Sequence, residues 1–174
     1  MQIKAEIRNL IEEFLASDLK VREGIETVVL CGSHALGRAT TRSDIDLCYI
    51  GDFPAFKREV MVYQGTEFQL MIGPWSWYED VISNYERKEE NIGTITGMLA
   101  QGICIYGESI RWKALSSLAQ QYFLIGPNPL TEREISRIRM RITGLFDNYC
   151  DQCSNSAEQA WLAFHVTVLY RVSV

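Results

Sequence analysis

The chain has 174 residues, 47% of them hydrophobic and 22% charged, with a formal net charge of -5. That is enough apolar material for one packed core with a helical appendage, and it excludes a disordered or fibrous chain. The acidic balance also argues against a large nucleic-acid footprint, which calls for a basic patch, so long duplex substrates are not expected.

Ile3, Ile7, Leu10, Ile11, Phe14 and Leu15 recur at helical spacing, which predicts an amphipathic packing helix over 3–16 rather than a signal-peptide core. A β-branched run from Thr27 to Cys31 predicts a strand over 26–31 that stops at Gly32, where the backbone can turn tightly. A short helix over 33–38 follows, then a strand over 44–50. A hairpin over 59–72 turns at Gln64-Gly65-Thr66, with Phe68, Leu70 and Ile72 on the core face and Glu67, Gln69 and Met71 on the other.

Gly73-Pro74 closes the hairpin, and a helix is predicted over 75–90, its Glu86-Arg87-Lys88-Glu89-Glu90 run forming a solvated charged face. Further helices are predicted over 92–101 and 110–124, with a short strand over 102–107 between them. Gly126-Pro127-Asn128-Pro129 breaks the chain before Thr131 caps a new helical run. Helices over 135–150 and 157–172, separated by the polar stretch 151–156, make up this second part. The expected division is a core over 1–125 and a helical module over 126–174, which is left incomplete or finishes its bundle by forming a homodimer.

No apolar run approaches the roughly 20 residues that cross a bilayer. The five cysteines form no secreted disulfide framework, and a cytoplasmic location is expected. Cys150-x-x-Cys153 lacks a second pair and a preceding strand, so it is read as two unpaired thiols. His165, among Trp161, Phe164 and Val166, is read as a core histidine.

The chemistry concentrates in Gly32-Ser33 and Ser43-Asp44-Ile45-Asp46-Leu47. After the Gly32 turn, backbone N–H groups and the Ser33 hydroxyl are placed to meet a polyphosphate. In a strand, Asp44 and Asp46 share one face while Ile45 and Leu47 enter the core. Two carboxylates so close repel each other, and a divalent cation holds both ionised; oxygen ligands favour magnesium or manganese. Arg38 and Arg42 flank the intervening loop, where a guanidinium can neutralise a triphosphate or a leaving pyrophosphate. His34 is read as incidental.

Gly32-Ser33 followed by Asp44-Ile45-Asp46-Leu47 resembles the signature of the DNA polymerase beta nucleotidyltransferase superfamily, and is similar to bacterial minimal and aminoglycoside-type members. Weaker similarity continues through 97–102, Gly126-Pro127, Arg139 and Asp147. The resemblance implies an α+β fold, a small mixed-sheet core with packed helices followed by an α-helical module. It implies a nucleotide site of Gly32, Ser33, Arg38, Arg42 and Ser43, and two magnesium ions held by Asp44 and Asp46 together with a third carboxylate from a neighbouring strand. Gln69 falls in that third slot, where an amide can neither accept a proton nor bind magnesium well. Glu67, about 6 to 7 Å earlier on the same face, is the candidate substitute metal ligand and base, set against a reading as a solvated hairpin residue. Should neither serve, Asp147, Glu158 or a partner subunit would have to supply the carboxylate.

The implied activity is metal-dependent transfer of a nucleoside monophosphate, AMP from ATP in the first instance, to a hydroxyl of a small molecule or protein. An aminoglycoside-like compound, a toxin or antitoxin partner and a nucleotide or RNA end all stay open as acceptors. The alternative is a catalytically impaired nucleotide-binding regulatory module, or an antitoxin-type partner of a toxin.

Overall fold

A two-residue turn sets the register of one edge of the sheet. Gln64 (φ 48°) and Gly65 (φ 77°) both adopt positive φ, the combination whose twist matches the flanking strands of a hairpin. Strand β3 (Lys57–Tyr63) therefore pairs antiparallel with β4 (Thr66–Pro74), with Val60 opposite Gln69 and Arg58 opposite Met71. The computed structural model describes residues 5–88, 93–126 and 128–153. Their contacts divide them into two compact units, the first ending at Gly126.

The first unit is α+β. Its five strands, completed by β1 (Ile25–Leu30), β2 (Ile45–Gly51) and β5 (Ile103–Tyr106), lie in the order β3-β4-β2-β1-β5. Only β2 and β4 run parallel, with Asp46 opposite Gln69, and every other pair is antiparallel. Helix α1 (Ala5–Asp18) covers one face, where Ile11, Phe14 and Leu15 pack on Ile45, Leu47, Tyr49, Phe68, Leu70 and Ile72. Phe14 stacks on Phe68 at 4.0 Å between ring centroids. Each such buried side chain contributes about 1.5–3 kcal/mol of hydrophobic stabilisation.

The other face is covered by α3 (Trp75–Asp80), the π-helical turn Val81–Tyr85, α4 (Thr94–Gln101) and α5 (Ile110–Ile125), which bury Cys48, Ile50 and Met71 beneath Trp75, Tyr78, Ile82, Leu99 and Trp112. Helices on one face and a helix on the other make β2 a central strand buried on both sides, which is why it reads as a nearly continuous apolar run.

The helix predicted over 75–90 ends early. The π turn closes it at Tyr85, and Glu86 is only 7% exposed rather than part of a solvated face. Its carboxylate accepts hydrogen bonds from the backbone N–H groups of Ile95 (2.8 Å) and Thr96 (2.7 Å) and from the Thr96 hydroxyl (2.7 Å). The two N–H groups are first-turn donors of α4, which no carbonyl of that helix can satisfy and whose positive end favours an anion.

In the second unit, α6 (Glu132–Cys153) starts with a reciprocal cap: the Glu134 side chain accepts from Thr131 N–H (2.8 Å), and Glu134 N–H donates to the Thr131 hydroxyl (3.3 Å). The helix continues through Asp151 and Gln152, where the sequence pattern predicts a break. Asp147 and the exposed Cys150 lie on α6, whereas Glu158, His165 and the helix predicted over 157–172 lie outside the described residues. No helix among the described residues is long and apolar enough to cross a membrane.

Candidate active site

Along β2 every residue is buried except Asp46. That carboxylate lies against Gly32, which has φ +62° and is so close that an added Cβ would stand 2.0 Å from Asp46 Oδ2. Cys31 N–H donates to the Asp46 carbonyl at 2.8 Å, fixing the end of β1 to β2 at this point. Gly32 opens the four-residue helix α2 (Gly32–Ala35), one residue earlier and shorter than the sequence pattern predicts. The glycine meets two demands together, a left-handed backbone and room for a carboxylate.

Asp44 precedes β2 and joins Asp46, Glu67 and Gln69 in one polar cluster. The Gln69 amide nitrogen donates to both Asp44 Oδ2 and Glu67 Oε1, the latter at 2.9 Å. The Gln69 amide oxygen accepts from Arg58. Arginine only donates and ionised carboxylates only accept, so this pattern fixes which way the amide points. Burial, and then the neighbouring Asp44 charge, hold the Asp46 carboxyl above its usual range, with Arg58 pulling it down.

A cavity of about 430 Å³ opens beside these groups, walled by Thr40, Arg42, Ser43 and Asp44 from the loop before β2, by Glu67 from β4 and by His34 from α2. Ser43 braces the loop, its hydroxyl accepting from Thr40 N–H at 2.9 Å. Ser33 Oγ and His34 Nε2 are buried atoms with no hydrogen-bond partner, an arrangement that costs free energy until a ligand atom satisfies them.

A family model described as "Nucleotidyltransferase domain" matches residues 8–98, just over half of the chain. The chain belongs to the nucleotidyltransferase domain family. Among solved structures, that of a nucleotidyltransferase-like protein from Exiguobacterium sibiricum 255-15 is similar to it, with 14% sequence identity and a TM-score of 0.47. The alignment takes in 95% of this chain and 55% of that one, so the chain spans about half the length of that protein. No curated protein matches it.

The matched span contains every residue of the acidic cluster. Its fold brings together Gly32, Asp44, Asp46, Glu67 and Gln69, and sets Arg42 and Ser43 on the cavity wall. Arg38 is exposed and is not among the residues lining that cavity. Among the described residues no group of three or more His, Cys, Asp or Glu is arranged to hold a metal ion. The mutually repelling pair Asp44 and Asp46 nevertheless suits magnesium, which binds through one or two carboxylates and completes its shell with phosphate oxygens and water.

Two groups at the site are not singled out by the motif. Arg58 reaches Gln69 only because the Gln64-Gly65 turn places it diagonally across the strand pair, a register that the turn type encodes. His34 has no sequence signal beyond its place beside Ser33; its buried, unpartnered nitrogen emerges only from the packing of α2.

Proposed function

We propose that this nucleotidyltransferase moves a nucleoside monophosphate, AMP from ATP, to a hydroxyl of a small molecule or protein and releases pyrophosphate. The observation that carries the reading is the contact between Gly32 and the Asp46 carboxylate, which joins the two halves of the motif into one polar site.

Asp44 and Asp46 would hold magnesium or manganese, which when bound supplies Lewis-acid polarisation of the phosphates and neutralises charge on the leaving oxygen. The Gly32 turn and the Ser33 hydroxyl bind the β- and γ-phosphates, and Arg42 adds positive charge from the cavity wall. The acceptor hydroxyl oxygen attacks the α-phosphorus in line, the bond from that phosphorus to the bridging oxygen breaks, and both electrons leave with pyrophosphate. The hydroxyl proton passes to Glu67, since the Gln69 amide cannot take it.

A second reading follows from the register of β2 and β4. Gln69 stands directly opposite Asp46 where the resemblance expects a carboxylate, which favours a nucleotide-binding module with impaired turnover. Incubating the chain with magnesium and labelled ATP or GTP, and screening small-molecule and protein acceptors by mass spectrometry, separates the two. Transfer supports the enzyme; magnesium-dependent nucleotide binding without any adduct supports the binding module.

A further inference from the structure

We infer that Arg58, held in place by Gln69, takes the position of a second divalent cation, so that the site works with one metal ion. This rests on the reading of Asp44 and Asp46 as the metal-binding pair.

The argument is one of charge. Relative to a site with a carboxylate opposite Asp46, Gln69 removes one negative charge. Arg58, which donates to the Gln69 amide oxygen, adds one positive charge. Together the two changes amount to the charge of one divalent ion. The amide also turns its N–H groups toward Asp44 and Glu67, so protons of Gln69 already meet the carboxylate oxygens that a second ion would need. A guanidinium matches phosphate oxygens with a planar fork of donors, and it does so without the dehydration cost of magnesium.

Arg58 comes from β3, an edge strand, and is exposed, so its replacement leaves the core untouched. It is the one arginine in direct hydrogen-bond contact with the acidic cluster among the described residues.

The test counts manganese ions bound to the full chain by electron paramagnetic resonance of the free ion, in the presence of α,β-methylene ATP. Wild type should bind one ion per chain in that complex. The double variant Arg58→Ala, Gln69→Glu should bind two. At saturating manganese, Arg58→Ala alone should weaken the analogue by about tenfold or more, the scale of a lost charge-assisted hydrogen bond. Two ions in wild type, one ion in the double variant, or unchanged analogue affinity in Arg58→Ala would each overturn the inference while leaving the transfer reading intact. No manganese binding at all in wild type would overturn both.

Discussion

The α-carbon of Gly32 and the carboxylate of Asp46 occupy adjoining space with no room for a methyl group between them: a Cβ on Gly32 would stand 2.0 Å from Oδ2 and 3.0 Å from Cγ of Asp46. One half of the motif thus sets the position of the other. Gly32→Ala should push the carboxylate aside and cut nucleotidyl transfer by about 10²-fold or more, because small displacements of a positioned group carry penalties of that order. The left-handed backbone adds a stability cost of about 1 kcal/mol. Transfer assays together with urea unfolding separate these effects; wild-type turnover in a folded Gly32→Ala chain would remove this contact from the mechanism.

Asp44→Asn and Asp46→Asn should each abolish metal-dependent transfer, a loss of at least about 10²-fold, while the chain stays folded. Both residues are partly exposed and neither belongs to the two packed apolar clusters. Removing one of two mutually repelling charges also relieves strain, so thermal stability should hold or rise slightly. Unchanged turnover in both variants refutes the site.

How much of this was legible in the sequence depends on the range of the interaction. Strand alternation placed Phe68, Leu70 and Ile72 in the core and Asp46 and Gln69 on the opposite face, because period-2 side-chain direction is local. The pairing of Gly32 with Asp46 was legible as a motif, not as the close contact it makes. Arg58 was missed because its position depends on hairpin register, and Glu86 was misread because a charged run looks solvated until the chain reverses and brings a helix N-terminus to it. His34 was set aside because burial of a single ring nitrogen leaves no trace in residue spacing.

Glu86→Ala should destabilise the first unit by about 2–3 kcal/mol, since three donors around α4 lose their acceptor in a buried place. Glu86→Gln, which keeps one acceptor oxygen, should cost less. Denaturant unfolding measures both, and a Glu86→Ala chain as stable as wild type would mean that water replaces the cap without cost.

Hydrogen bonds from Arg22 and Lys57 hold the Glu59 carboxyl below the ordinary carboxylate range. The unfolded chain therefore binds the proton first as pH falls, so this contribution to stability is present above the ordinary carboxylate pKa and disappears as pH drops through the lower, folded value. Glu59→Gln should lower stability at pH 7, and its difference from wild type should shrink steadily below about pH 4.3, the ordinary glutamate value. A difference that stays constant from pH 7 to pH 3 would show that Glu59 acts through packing alone.

Glu67 and Gln69 share one hydrogen bond at 2.9 Å, and Gln69 stands opposite Asp46, so a substitution at either changes the same acidic cluster in a distinct way. If Glu67 receives the acceptor proton, Glu67→Gln should reduce transfer by about 10²-fold or more, the usual scale for a lost general base, with little effect on nucleotide affinity. If the amide at position 69 has blunted the site, Gln69→Glu should create or raise activity, and with Arg58 retained the new carboxylate would gain a direct ion pair in place of the present amide contact. Single-turnover transfer measured beside nucleotide titration distinguishes the cases. Wild-type turnover that is indifferent to Glu67→Gln and gains nothing from Gln69→Glu would exclude both roles, and the proton would then have to leave through a group outside the strand pair, the unpartnered Nε2 of His34 on the same cavity wall being one such group.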